Sequence, residues 1–193
     1  MKPSALVLAV AVVACKDKAP TRAARDCFAY KVPAGWHEEP SKTGADLVVM
    51  NAERFPLGDR EMRDNFTVRF IPGVELAALK EQLLKSLATP GAADQATKEI
   101  TKSRSDLPEI HARVIPKPAV TDITFAGHPA FQLRVDNTLD VGGAATPMRN
   151  TTTFVQFDDD IVEIATGYVA SREATAKAAG EAFLASISFD RCH

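Results

Sequence analysis

Residues 65–88 read NFTVRFIPGVELAALKEQLLKSLA. From Asn65 to Ile71, Phe66, Val68 and Phe70 alternate with Thr67 and Arg69, the period of a half-buried strand. Past Pro72-Gly73 the period changes. Leu76, Leu79, Leu83 and Leu87 recur at helical spacing, so Val74 to Ala88 is predicted as a helix with one apolar stripe. Glu81 and Lys85 form an i,i+4 pair on its other side, and Pro90-Gly91 stop it. The stripe should pack on a sheet, so the chain reads as a mixed α and β protein.

Outward from this stretch the same two periods recur. Phe131, Leu133 and Val135 alternate with Gln132, Arg134 and Asp136. Further strands are expected at Phe28–Val32, Asp46–Asn51, Thr121–Phe125, Thr151–Phe157, Ile161–Tyr168 and Ile187–Asp190, with a hairpin turn at Asp158-Asp159-Asp160. A second helix is expected after Ser171 as N-cap. It carries Glu173 in its first turn and Ala176, Ala179 and Phe183 on one face. The stretches 52–64, 89–118 and 138–148 read as loops or insertions. No internal repeat is present.

Composition narrows the function classes. The chain has 193 residues, 46% hydrophobic and 25% charged, with a formal net charge of −2. A disordered, collagenous or multi-pass membrane protein is excluded, and a chain of this length forms one domain with its own core. With 23 Lys+Arg against 25 Asp+Glu and 7% aromatics, it lacks the basic and stacking residues that nucleic-acid binding requires.

The N-terminus reads as an export signal: Lys2 followed by the apolar run Ala5–Ala14. That run spans about 15 Å, roughly half of a hydrocarbon core, too short for a stable transmembrane helix. Val12-Val13-Ala14-Cys15 resembles the bacterial lipobox, so residues 1–14 are expected to be removed and Cys15 to become the acylated first residue. Cleavage by a conventional signal peptidase after Ala14 is the alternative. Several acyl chains at about 0.8 kcal/mol per buried methylene would anchor the protein on a bilayer without spanning it. Residues 15–26, with Lys16, Lys18, Arg22 and Arg25, read as the lipidated cysteine and a charged tether. The body is expected over 27–193.

Of the three cysteines, Cys27 and Cys192 bracket that body. In an exported protein they read as one disulfide. Closing a loop of about 165 residues stabilises by about 5 kcal/mol on the chain-entropy model. Two free thiols, or a metal site with His193, are the other readings, although zinc usually takes four ligands at paired spacing.

Pro33-Ala34-Gly35-Trp36, Phe66-Thr67-Val68 before the leucine helix, Ala126-Gly127-His128-Pro129-Ala130, and a final helix running into Ser186-Ile187-Ser188-Phe189 occur in the order found in PsbP-like proteins. The chain resembles that superfamily over roughly 28–190. The resemblance implies an α+β fold, with a central, mostly antiparallel sheet and helices on both faces. It also implies a binding or assembly role, with no common catalytic residues to transfer. The polar, Pro-rich segment 93–118 departs from the pattern.

Candidate chemistry is sparse. Trp36 with His37, Glu38 and Glu39 could form an acid/base patch, but reads as a core anchor after a Gly-made turn with solvated charges behind it. Asp158-Asp159-Asp160 lacks the ligand spacing of a calcium loop. His111 and His128 stand alone. There is no Gly-x-Ser-x-Gly elbow, and Gly142-Gly143 lacks the Lys of a phosphate loop. No catalytic residue, cofactor or metal is expected. The sequence therefore predicts a bacterial lipoprotein, exported and held at the inner or outer membrane, whose body binds a protein partner of the envelope. A hydrolase assembled from separate loops and a binder of lipophilic ligands are the alternatives.

Overall fold

In the computed structural model, the described residues are 23–41, 44–57, 60–89, 110–114, 119–141 and 144–190. Cys15, Gly142-Gly143, Cys192 and His193 lie outside them. Among these residues ten strands run in chain order: β1 (Trp36–Glu39), β2 (Leu47–Asn51), β3 (Phe55–Leu57), β4 (Arg60–Met62), β5 (Asn65–Pro72), β6 (Ile110–Val114), β7 (Ala119–Phe125), β8 (His128–Val141), β9 (Ala144–Phe157) and β10 (Asp160–Val169). The helices are α1 (Ala23–Cys27), α2 (Leu76–Ala88) and α3 (Glu173–Ser186).

Eight strands form one sheet in the order β1-β2-β5-β10-β9-β8-β6, with β7 also on β8. Every pairing is antiparallel. Strands β6 and β7 share one edge of β8, β6 along Asn137–Val141 and β7 along His128–Arg134. β3 and β4 pair only with each other.

Alternation along the central strands sends successive side chains to opposite faces. On one face Phe66, Val68, Ala130, Val155, Val162 and Ile164 pack with Ala24, Cys27, Phe28, Phe183, Ile187 and Phe189, so α1, α3 and the C-terminal segment cover it. On the other, Ile71, Phe131, Leu133, Val135, Phe154 and Ile161 pack with Leu79 and Leu83 of α2. The fold is α+β, with helices on both faces of an antiparallel sheet. Gly180 of α3 faces the Phe66 ring, where an added Cβ would make ordinary contact at 3.5 Å.

The structure differs from the periodicity reading in several places. The stretch 52–64 contains the β3–β4 hairpin. β8 and β9 continue through 138–148 as one long hairpin, and β6 lies within 89–118. Trp36–Glu39 is a strand. Phe28–Val32 and Ile187–Asp190 form no ladder; they meet in the single bridge Ala29↔Ser188. A 3₁₀ turn at Ala170–Arg172 precedes α3, so Arg172, not Ser171, stands at its N-cap. The last residues of the expected tether form α1, whose Ala24 is fully buried. The Asp158–Asp160 turn forms as expected: Asp158 adopts φ 49°, and Gln156 Nε2 donates to the carbonyls of Asp158 (2.7 Å) and Asp160 (3.1 Å).

Candidate functional site

Of the three cysteines assigned roles in the sequence, Cys27 is described. It closes α1 and is 2% exposed. Just beyond it the chain meets its own C-terminal segment. Ala29 N donates to Ser188 O at 2.8 Å, Ser188 N donates to Ala29 O at 2.9 Å, and the Phe28 and Phe189 rings lie 5.8 Å apart. Lys31 N donates to Ser186 Oγ at 2.9 Å. Both ends of the body thus converge on one side of the sheet.

Trp36 is an anchor. Gly35, at φ +79°, turns the chain into β1, and the indole stacks on Phe66 at 4.2 Å, which in turn stacks on Phe183 at 4.9 Å. Behind it, Glu39 accepts from His37 Nε2 (3.0 Å) and Arg63 (2.6 Å). The His37 hydrogen bond, reinforced by Arg63, holds the Glu39 carboxyl below its usual range. Glu38 accepts from Tyr30 Oη at 2.7 Å. These charges are committed to neighbours within β1 and on adjoining loops.

His128 packs among Phe157 (5.1 Å) and Phe189 (5.0 Å). His111 lies on β6, opposite Asp140 of β8 in the register. Among the described residues no three His, Cys, Asp or Glu side chains are placed to hold a metal ion. Leu79 and Leu83 pack directly on the sheet, which counts against a lipophilic pocket between α2 and the strands.

Two charged clusters emerge that the sequence reading did not find. In one, Arg149 of β9 pairs with Asp136 of β8 (3.3 Å) and with Glu173 in the first turn of α3, tying helix to sheet. In the other, Arg172 reaches from the start of α3 into the neck of the β3–β4 hairpin. It pairs with Asp64 (3.3 Å) and Glu53 (3.1 Å), and its guanidinium lies 4.5 Å over the Phe55 ring. Asp64 is 2% exposed, and its Oδ1 has no hydrogen-bond partner. Burial raises its carboxyl above the usual range, with Arg172 pulling the other way. Asn137 is fully buried and accepts from Asn150 Nδ2 at 2.7 Å, while its own Nδ2 is unpartnered. Gly167 makes room for that pair, since a Cβ there would sit 2.7 Å from Asn150 Oδ1.

Glu163 of β10 is a largely covered acid whose paired cation, Arg69, stands 3.8 Å away. Burial raises its carboxyl, and Arg69 offsets this only in part. Its folded-state value exceeds its unfolded one, so the folded state binds the proton more tightly and this residue destabilises the fold above that range. Glu163→Gln should therefore raise the urea midpoint at pH 7.5 by the equivalent of about 1 kcal/mol. The gain should vanish as the pH falls to about 4, where the acid is protonated in both states. An equal gain at both pH values would assign the effect to packing instead.

No protein-family model matches the chain, and no curated protein matches its sequence. Solved structures do match. Cyanobacterial PsbP (CyanoP) from Synechocystis sp. PCC 6803 aligns over 84% of this chain and 86% of its own, with a TM-score of 0.49 and 16% identity. This chain is similar to PsbP. LpqN of Mycobacterium tuberculosis, involved in cell envelope biogenesis, aligns over 83% and 82% with a TM-score of 0.48 and 11% identity. The Ran-binding protein Mog1p of Saccharomyces cerevisiae aligns over 84% and 90% with a TM-score of 0.45 and 12% identity. The likeness is one of fold, and no residue role comes with it. A PsbP is thus among the similar structures, as Pro33–Trp36 and Ala126–Ala130 imply.

Proposed function

We propose that the protein is a lipid-anchored envelope protein whose body binds a protein partner. The observation that carries the anchoring is where the body takes hold of the chain. Ala24 is fully buried, so the body has begun by that point, and in the sequence residues 16–22 lie between Cys15 and the first described residue. They span at most about 25 Å, which keeps the domain close to the surface that acylated Cys15 enters. Among the described residues no helix is long and apolar enough to cross a membrane, and the acyl chains supply the attachment in this reading. A binding role accords with the use of charge: Arg149, Arg172 and Arg63 each tie one element to another.

Cys15→Ala should move the protein from the membrane to the soluble exported fraction; unchanged fractionation overturns the anchor. Crosslinking in intact cells, with the wild-type chain as bait and Cys15→Ala as control, should capture one stoichiometric envelope protein that the variant loses. Failure to capture any specific partner counts against the binding role.

A further inference from the structure

The hairpin Phe55–Met62 stands apart from the main sheet, and the chain enters and leaves it through Asn51 and Asp64, whose backbones close the neck (Asn51 N to Asp64 O, 3.0 Å). Glu53 N donates to Asn51 Oδ1 at 3.0 Å, tightening the same neck. Arg172 comes to it from a segment more than a hundred residues away and contacts both sides at once, Glu53 in the entering segment and Asp64 in the leaving one, with Phe55 beneath its guanidinium. Phe55 is buried although its strand is only three residues long.

We infer that Arg172 closes a clasp on the base of the β3–β4 hairpin, and that the clasp is held more tightly when Asp64 carries a proton.

The reason is the state of Asp64. Arg172 satisfies Oδ2, but Oδ1 is buried with no well-formed hydrogen bond, and the help of Arg172 and the nearby Asn51 side chain does not outweigh the burial of the ionised group. Opening the neck lets water reach that oxygen, and protonation removes the charge that needs it. Because the closed form favours the proton more than the open form, falling pH shifts the hairpin toward closed, the opposite of an ion pair that loosens in acid. The charged groups facing Asp64 are Arg172 and Glu53; its chain neighbour Arg63 is turned to Glu39. Glu53 is largely exposed and also pairs with Arg172.

The test is amide hydrogen exchange on the full mature chain, expressed as protection factors for Glu53–Phe55 and Glu61–Met62. In the wild type, protection should rise about three- to tenfold from pH 7.5 to pH 5. Asp64→Asn should give the higher protection at both pH values. Wild-type protection that is flat or falls toward pH 5 overturns the inference, and that comparison needs no variant. A pH response that persists in Asp64→Asn assigns the effect to another group and equally overturns it.

Discussion

Phe183→Ala should lower the stability of the fold by about 3–5 kcal/mol, the range for deleting a buried aromatic side chain that its surroundings cannot collapse to replace. Phe183 is fully buried, and it is the largest side chain of α3 in the core on that face of the sheet. Its ring lies parallel to Phe66 at 4.9 Å and 7°, Phe66 lies parallel to Trp36 at 4.2 Å and 9°, and Tyr30 meets it edge-on at 6.0 Å. One side chain therefore joins the last helix, the central strand β5, the edge strand β1 and the segment after α1. The measurement is urea unfolding followed by tryptophan fluorescence, for which Trp36, the single tryptophan, is a direct reporter. Leu84→Ala is the control: Leu84 is 46% exposed, and its loss should cost less than about 0.5 kcal/mol. Similar midpoints for the two variants would refute the central role given to the stack.

The parts of this architecture that were legible beforehand are those in which one face is apolar and the other is not. β5, β8, β9, β10 and α2 bury a stripe against a neighbour, and periodicity records that burial. The missed strands lack the record. Trp36–Glu39 is mostly polar and sits at the sheet edge. Phe55-Pro56-Leu57 carries a proline and pairs only with β4. The outer half of the β8–β9 hairpin, Asn137–Val141 with Ala144–Met148, continues the antiparallel register of the inner half through residues with no apolar alternation in the sequence. Phe28–Val32 and Ile187–Asp190 err the other way: they are apolar because they line the core, yet only one bridge joins them. The Arg172 clasp was invisible for a different reason. Its members, Glu53, Asp64 and Arg172, lie 119 and 108 residues apart across the two contacts, and each alone is an ordinary surface-type residue. Only the fold brings them together.

Cys27→Ser should lower the stability of the folded body by about 2–5 kcal/mol, on the proposal that Cys27 and Cys192 form its disulfide. Cys27 is 2% exposed, and its sulfur is not a free thiol. The Ala29↔Ser188 bridge and the Phe28–Phe189 contact bring the C-terminal segment alongside it, within a few residues of Cys192. A bond there needs its two Cα atoms within about 7 Å. It would fasten together the two chain ends, which otherwise rest on one bridge and a few aromatic contacts, and would remove the entropy of a very long loop from the unfolded chain. Serine at a buried site also carries a desolvation cost of its own, about 1–3 kcal/mol for an unpaired hydroxyl. Cys192→Ser separates the two effects, because it breaks the same bond without altering the buried position. In the Cys15→Ala background, Cys192→Ser and the fully reduced protein should unfold at one common midpoint, below the oxidised protein. Cys27→Ser should fall at or below that midpoint, and the double variant Cys27→Ser/Cys192→Ser should match Cys27→Ser. Thiol titration of the denatured, non-reduced Cys15→Ala protein should find no reactive cysteine, and each single variant should release one. Two reactive thiols in that protein, or a midpoint indifferent to reductant, would remove the bond and leave the ends joined by packing alone.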